Sequence, residues 1–214
     1  MQILKTILDF FLHIDKNLFS IVQQFGAVSY IILFAVIFME TGLVVTPFLP
    51  GDSLIFAAGA LAGGKALNIV LLFGILLAAA FVGDTVNYWI GHFIGPKVFE
   101  ANHKLLKKEY LEKAQKFYEK HGGKAIVLAR FVPIVRTFAP FVAGIGQMSY
   151  PHFLMFNLLG GFLWVSLFLF TGFFFGNLPI VKENFHYTVI VIVLISIVPI
   201  FIEWYKAKKE ISHS

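Results

Sequence analysis

Apolar residues run in long blocks along this chain, and charge is confined to a few sharply bounded places. Three stretches contain no Asp, Glu, Lys or Arg: 66–83, 137–181 and 184–202. Each reaches or exceeds the ~18 residues that mark a spanning helix. The pattern predicts an all-α integral membrane protein, a single helical bundle over residues 1–214. Full spans are expected over 66–93, 150–177 and 185–205.

Two further blocks are apolar but broken. From Val28 the chain runs without charge to Met39; Glu40 follows, then Pro47, Pro50 and Gly51. Prolines and glycines there release backbone groups that are tolerated at depth only under cover of protein or a wet cavity. The next apolar run, 53–62, would be about 15 Å long as a helix, half the bilayer core. A descending arm, a broken tip and a short return predict a re-entrant hairpin over 28–64. Residues 125–148 have the same plan. Each block has a Pro followed within three residues by a charge, Pro50 with Asp52 and Pro133 with Arg136, and each closes on Ala-Gly, at Ala58-Gly59 and Ala143-Gly144. Such internal repeats with broken segments point to a transporter site near the midplane.

The remaining segments set orientation. In 1–25, Lys5, Asp9, His13 and Lys16 recur every three or four residues among Ile and Leu. That spacing predicts an amphipathic helix in the interface, with a span as the alternative, and no Ala-x-Ala site marks a cleavable signal. Segment 97–124 carries eight Lys, four Glu and two His, and the tail 206–214 is again basic. Positive charge marks the cytoplasmic side, which places the C-terminus inside. With 150–177 crossing out and 185–205 crossing back, the two hairpins are oppositely oriented.

Composition agrees with the pattern. Of the 214 residues 58% are hydrophobic and 14% charged, against about 25% charged in a soluble domain. Mean hydropathy is +0.82. There is no Cys, so thiol chemistry is excluded. The net charge of +5 comes mainly from the Lys-rich polar segments and reads as topology, not as nucleic-acid binding. Fifteen of the 17 basic residues are Lys; the two Arg, Arg130 and Arg136, are flanked by Ile, Val, Phe and Ala. A guanidinium stays charged and offers a planar fork that suits phosphate or carboxylate.

The charges at or near membrane depth are then Glu40, Asp52, Asp84, Arg130 and Arg136. Each would cost about 2.5–3.5 kcal/mol facing lipid at the midplane, so they must face one another or water. Two half-membrane hairpins meeting from opposite sides would make a polar seam along which a lipid headgroup could slide. Arg130 and Arg136 would hold its phosphate, and Glu40 and Asp52 would compete for the same guanidinium groups. Proton coupling falls to Glu40, Asp52 and Asp84. Pro50, Gly51, Tyr88, His92, Pro133 and Gly144 are supporting positions. Stripes of small residues, Gly83/Asn87/Gly91/Gly95 and Gly160/Trp164/Gly172/Gly176, could pack within the bundle or between two copies in a homo-oligomer.

These residues resemble the DedA family, also called the SNARE-associated or VTT-domain superfamily. The likeness rests on Glu40, on Pro50-Gly51-Asp52, on GDTVNYWIG at 83–91, on the run 121–148, and on Phe153, Gly160 and Trp164. It covers roughly residues 25–176. It implies a bacterial inner-membrane lipid transporter, a flippase or scramblase for undecaprenyl phosphate or a phospholipid, linked to proton-motive force and needing no cofactor. It also implies functional roles for Glu40, Asp52, Arg130 and Arg136. His92 stands where many members of the family carry Arg after the Gly; an unperturbed imidazole titrates near ~6.5. The rival readings are a proton-coupled small-ion or solute carrier and a structural assembly factor. An enzyme is disfavoured: His103, His121, His152 and His186 form no phosphatase arrangement, Ser53, Ser149 and Ser166 have no nucleophile setting, and no helix carries a metal-binding pair.

Overall fold

A computed structural model describes residues 20, 22–43, 51–100, 122–146, 148–184, 187, 188 and 191. Among the described residues its main helices are α1 (Val28–Gly42), α2 (Gly51–Gly63), α3 (Ile69–Glu100), α4 (Lys124–Ala129), α5 (Pro133–Ile145), α6 (Tyr150–Phe175) and α7 (Pro179–Glu183), and there is no strand. Most of the amphipathic segment 1–25, the tips with Pro47 and Pro50, most of 97–124, nearly all of 185–205 and the tail lie outside them.

Among the described residues two helices are long and apolar enough to cross a membrane, Ile69–Ile94 and Tyr150–Phe175, each of 26 residues. At 1.5 Å per residue that is roughly 39 Å, more than the ~30 Å hydrocarbon core. Asn68 starts α3: its Oδ1 accepts the N–H groups of Val70 and Leu71, both at 3.0 Å. These are donors that a helix start would otherwise leave unmade. The helix does not stop at residue 93 as the apolar pattern predicts but continues to Glu100. The start of α6 matches the sequence reading: Ser149 is extended and a proline occupies the first turn, where its missing N–H costs nothing.

The broken blocks become pairs of short helices. In the first, α1 has 15 residues and α2 has 13. Beyond α2 the chain reverses through Lys65, at φ 64, with its N–H on the Ala62 carbonyl at 3.0 Å. In the second, α4 has only six residues and α5 has 13. The break falls at Val132, at φ −109 and ψ 109. A residue before proline is pushed out of the helical region in this way, and Pro133 then opens α5. The arms of the second block are therefore unequal, because the Pro133 break comes ten residues after the turn at Gly122 and Gly123.

Packing is crossed between the two halves. The returning helix α2 of the first block lies on α6, and the returning helix α5 of the second lies on α3; α1 also packs on α3, and α4 on α6. Glycines make both returns possible. A Cβ on Gly172 would stand 2.0 Å from the Phe56 carbonyl oxygen and one on Gly59 2.1 Å from that of Leu169. On the other side, Gly91 and Gly144 have the same relation to the carbonyls of Phe141 and Tyr88. The glycine stripes thus serve contacts within one chain, the close-approach packing that membrane helices rely on.

Two apolar clusters result. One joins α1, α2, the start of α3 and Trp164 to Leu169 of α6; the other joins Tyr88, α4, α5 and Phe153. The outside is apolar as well, with Val70, Phe93, Met155, Phe162, Phe174 and Ile180 exposed. Lipid is the medium that such a surface fits.

Gly172→Leu should force α2 off α6 and cost at least ~2 kcal/mol, about 4–8 °C in the Tm of the detergent-solubilised protein. Gly74→Leu has nothing within 4 Å of its Cβ and serves as the control. Equal melting temperatures for the two variants would contradict the packing described.

Candidate functional site

Between the two apolar clusters lie the charged side chains. Glu40 sits near the end of α1, Asp52 in the first turn of α2 and Asp84 in the middle of α3. Arg130 closes α4, and Arg136 lies one turn into α5. All five are buried, at 0% exposure for Glu40 and no more than 9% for any of them. The sequence scatters them over almost a hundred positions; the crossed packing brings them together.

The guanidinium of Arg136 spans two acids: Nη1 donates to Asp52 Oδ1 and Nη2 to Glu40 Oε1. The second block is thereby tied to both arms of the first. Glu40 Oε1 also accepts the Gly51 N–H at 3.1 Å, which links the end of α1 to the start of α2 across the tip. A Cβ at Gly51 would stand 1.7 Å from Glu40 Oε2, so only glycine leaves room for that carboxylate. Arg130 Nη2 donates to Asp84 Oδ2 and to Asn157 Oδ1. The Asn157 amide is oriented by its own donation to the Phe81 carbonyl at 3.2 Å.

Several donors and acceptors remain open. Among the described residues neither Arg130 Nε nor Arg136 Nε has a partner, and neither does Glu40 Oε2. Buried polar groups are nearly always satisfied, so unmade bonds inside an ion network call for an explanation. Three carboxylates and two guanidinium groups also leave a formal charge of −1 in the site. The set can bind an anion through the arginines only by displacing or neutralising an acid.

The other sequence-nominated positions fall nearby. Tyr88 and His92 continue the Asp84 stripe of α3 but enter an aromatic cluster with Trp89, Tyr150 and Phe153. Tyr88 donates to the Met148 carbonyl. His92 stacks on Tyr88, with ring centroids 6.0 Å apart, and makes no ion pair with the five charges among the described residues. Gly51 closes on Glu40 as above, Gly144 lets α5 approach α3, and Pro133 opens α5. Pro50 lies outside the described residues.

Sequence reasoning gave no site role to Asn157, Asn87 or Trp164. Asn87 Nδ2 donates to the carbonyls of Thr41 at 3.0 Å and Thr137 at 2.8 Å, binding both blocks to α3. Trp164 Nε1–H donates to Asp52 Oδ1 at 2.8 Å. The available signal was an amide within each of the two apolar helices α3 and α6, where a lipid-facing position would be apolar.

The VTT domain family matches residues 49–174 of this chain, more than half its length and nearly all of the ion network. Protein DedA of Escherichia coli K12 is 52% identical over 212 residues, 98% of this chain and 97% of that protein. The chain belongs to the DedA family. Among other DedA relatives, an uncharacterized membrane protein of Mycobacterium leprae is 41% identical over 168 residues, 78% of this chain and 75% of its own. The inner membrane protein YghB of Salmonella typhimurium is 36% identical over 159 residues, covering 74% and 73%. No solved structure matches. The family assignment and the apolar exterior together make this a helical membrane protein, and the ion network is its buried polar centre.

Removing one partner of a buried pair strands the other charge. Asp84→Ala should therefore destabilise the DedA-family chain by about 3–5 kcal/mol, read as a lowered Tm. Asp84→Leu with Arg130→Met should recover most of that loss, because the stranded charge goes too. A double variant as unstable as the single one would show that the pair does not act as a unit.

Proposed function

We propose that this protein moves a phosphate-bearing lipid, such as undecaprenyl phosphate or a phospholipid, across the bacterial cytoplasmic membrane, driven by the proton-motive force. The observation that carries the reading is the two buried arginines with open Nε donors, held against three acids inside a bundle with an apolar exterior. Membrane relatives, among them an inner membrane protein, support the location.

In this reading the two broken blocks are re-entrant hairpins that enter from opposite faces. The C-terminus is cytoplasmic, and full spans at 66–93, 150–177 and 185–205 frame the hairpins. The headgroup phosphate takes the fork of Arg136 and the guanidinium of Arg130, while its tails remain in hydrocarbon. Glu40 and Asp52 occupy that fork in the resting state. Protonation of one of them removes a competing charge, frees a guanidinium and offsets the charge brought by the phosphate. Release of that proton on the other side restores the carboxylate, which retakes the guanidinium and expels the headgroup. Asp84 holds Arg130 in the same way. The cycle thus exchanges a carboxylate for a phosphate on a fixed cation pair. It needs no cofactor and no covalent step.

The burial of all five charges favours one alternative, a proton-coupled carrier of a small ion or solute, since such a path is closed sideways. Reconstitution separates the two. In liposomes, fluorescent phosphatidylethanolamine and an undecaprenyl-phosphate analogue should be flipped by the wild type and accelerated by an imposed pH gradient. Arg136→Lys should lower the rate at least tenfold, because charge is kept but the fork is lost. Glu40→Gln should abolish the response to the gradient. Absence of flipping of both lipids in folded wild-type protein would transfer the reading to the small-ion carrier, and full activity of Arg136→Lys would remove the fork from the mechanism.

A further inference from the structure

Trp164 heads the large, fully buried side chains of the described residues, and charge balance gives it no task. Its ring lies against both guanidinium groups, with Arg136 Cζ 5.1 Å and Arg130 Cζ 5.9 Å from the ring centroid. Its N–H is bound to Asp52, the acid that also takes Arg136. One indole therefore touches a cation from α4, a cation from α5 and an anion from α2.

The rest of that α6 face is shaped for the same purpose. A Cβ on Gly160 would stand 3.1 Å from Arg130 Cδ and 3.2 Å from its Nε; one on Gly161 would stand 3.6 Å from its Cζ. Asn157, a turn earlier, accepts from Arg130 Nη2. Asn157, Gly160, Gly161 and Trp164 follow the i, i+3, i+4, i+7 spacing of one helix face. The arginine stem crosses the glycine pair with an amide at one end and an indole at the other. Two guanidinium groups repel each other in a low-dielectric interior. The electron-rich face of an indole attracts a cation by its quadrupole, and most strongly where water is absent. Both arginines also keep a buried Nε–H without a partner among the described residues, and each needs an acceptor.

We propose that Trp164 is the positioning residue that makes Arg130 and Arg136 one site for a single phosphate group. The ring holds two like charges beside each other when their carboxylates are displaced, and the open Nε–H donors then meet phosphate oxygens. The proposal rests on the phosphate-lipid reading above and adds to it the group that keeps the cation pair together.

The decisive experiment alters the ring's electron density at nearly constant size. The chain has three tryptophans, so Trp89→Phe with Trp204→Phe leaves Trp164 alone. Into that full-length protein, in nanodiscs, mono-, di- and trifluorotryptophan are incorporated, and binding of farnesyl phosphate and of inorganic phosphate is measured. Farnesyl phosphate affinity should fall stepwise with fluorine number, to about tenfold for the trifluoro form, at unchanged Tm. Trp164→Leu should lose more. A flat series in protein that binds farnesyl phosphate overturns the role of Trp164 and leaves the lipid reading standing. Failure of the wild type to bind either probe overturns both. Equal dependence on fluorination for inorganic phosphate supports the cation platform and removes the lipid tail from what it recognises.

Discussion

Arg136 set between Glu40 and Asp52 is the constraint on which this molecule turns. A guanidinium in an apolar bundle is costly to bury unless its partners are fixed around it. Here one partner lies near the end of α1 and the other in the first turn of α2, on either side of a broken helix. The second block can supply its arginine only if α5 reaches the tip of the first. Most other features of the fold serve that meeting.

Proline and glycine supply the means. Pro133 ends the α4 arm and starts α5, so Arg136 comes one turn into a fresh helix. Gly51 leaves space for the Glu40 carboxylate. Gly59 and Gly172 seat α2 on α6, while Gly91 and Gly144 seat α5 on α3. In lipid there is no hydrophobic drive between helices, and close backbone approach with polar links takes its place. Asn87 adds two such links, reaching the backbone next to Glu40 and next to Arg136 from a single amide nitrogen.

The network is charged yet incomplete. Three acids face two arginines, and donors on both arginines are open. A site built for stability alone would gain more from apolar packing of the same volume. In the proposed transport cycle, carboxylates hold cations that a phosphate takes in their place, which is a reason to retain the charges. Trp164 gives the two cations a common surface.

The sequence by itself determined the membrane class, the broken blocks and the identity of the buried charges. It could do so because charge and proline are rare in apolar segments and each is legible one residue at a time: Glu40, Asp52, Asp84, Arg130 and Arg136 stand out against Ile, Leu and Phe. The start of α6 at Tyr150 matched the expected span, and the helix break at Pro133 falls inside the broken block 125–148, since proline and its predecessor restrict the backbone locally. The continuation of α3 to Glu100 was not legible, because hydropathy marks where lipid ends and not where hydrogen bonding ends. Only the tertiary structure decided which acid pairs with which arginine, with Arg136 on Glu40 and Asp52 and Arg130 on Asp84. Only it drew Asn87, Asn157 and Trp164 into the site and left His92 among the aromatic rings. Pairing depends on the crossing of α2 over α6 and α5 over α3, a long-range packing that no local spacing encodes.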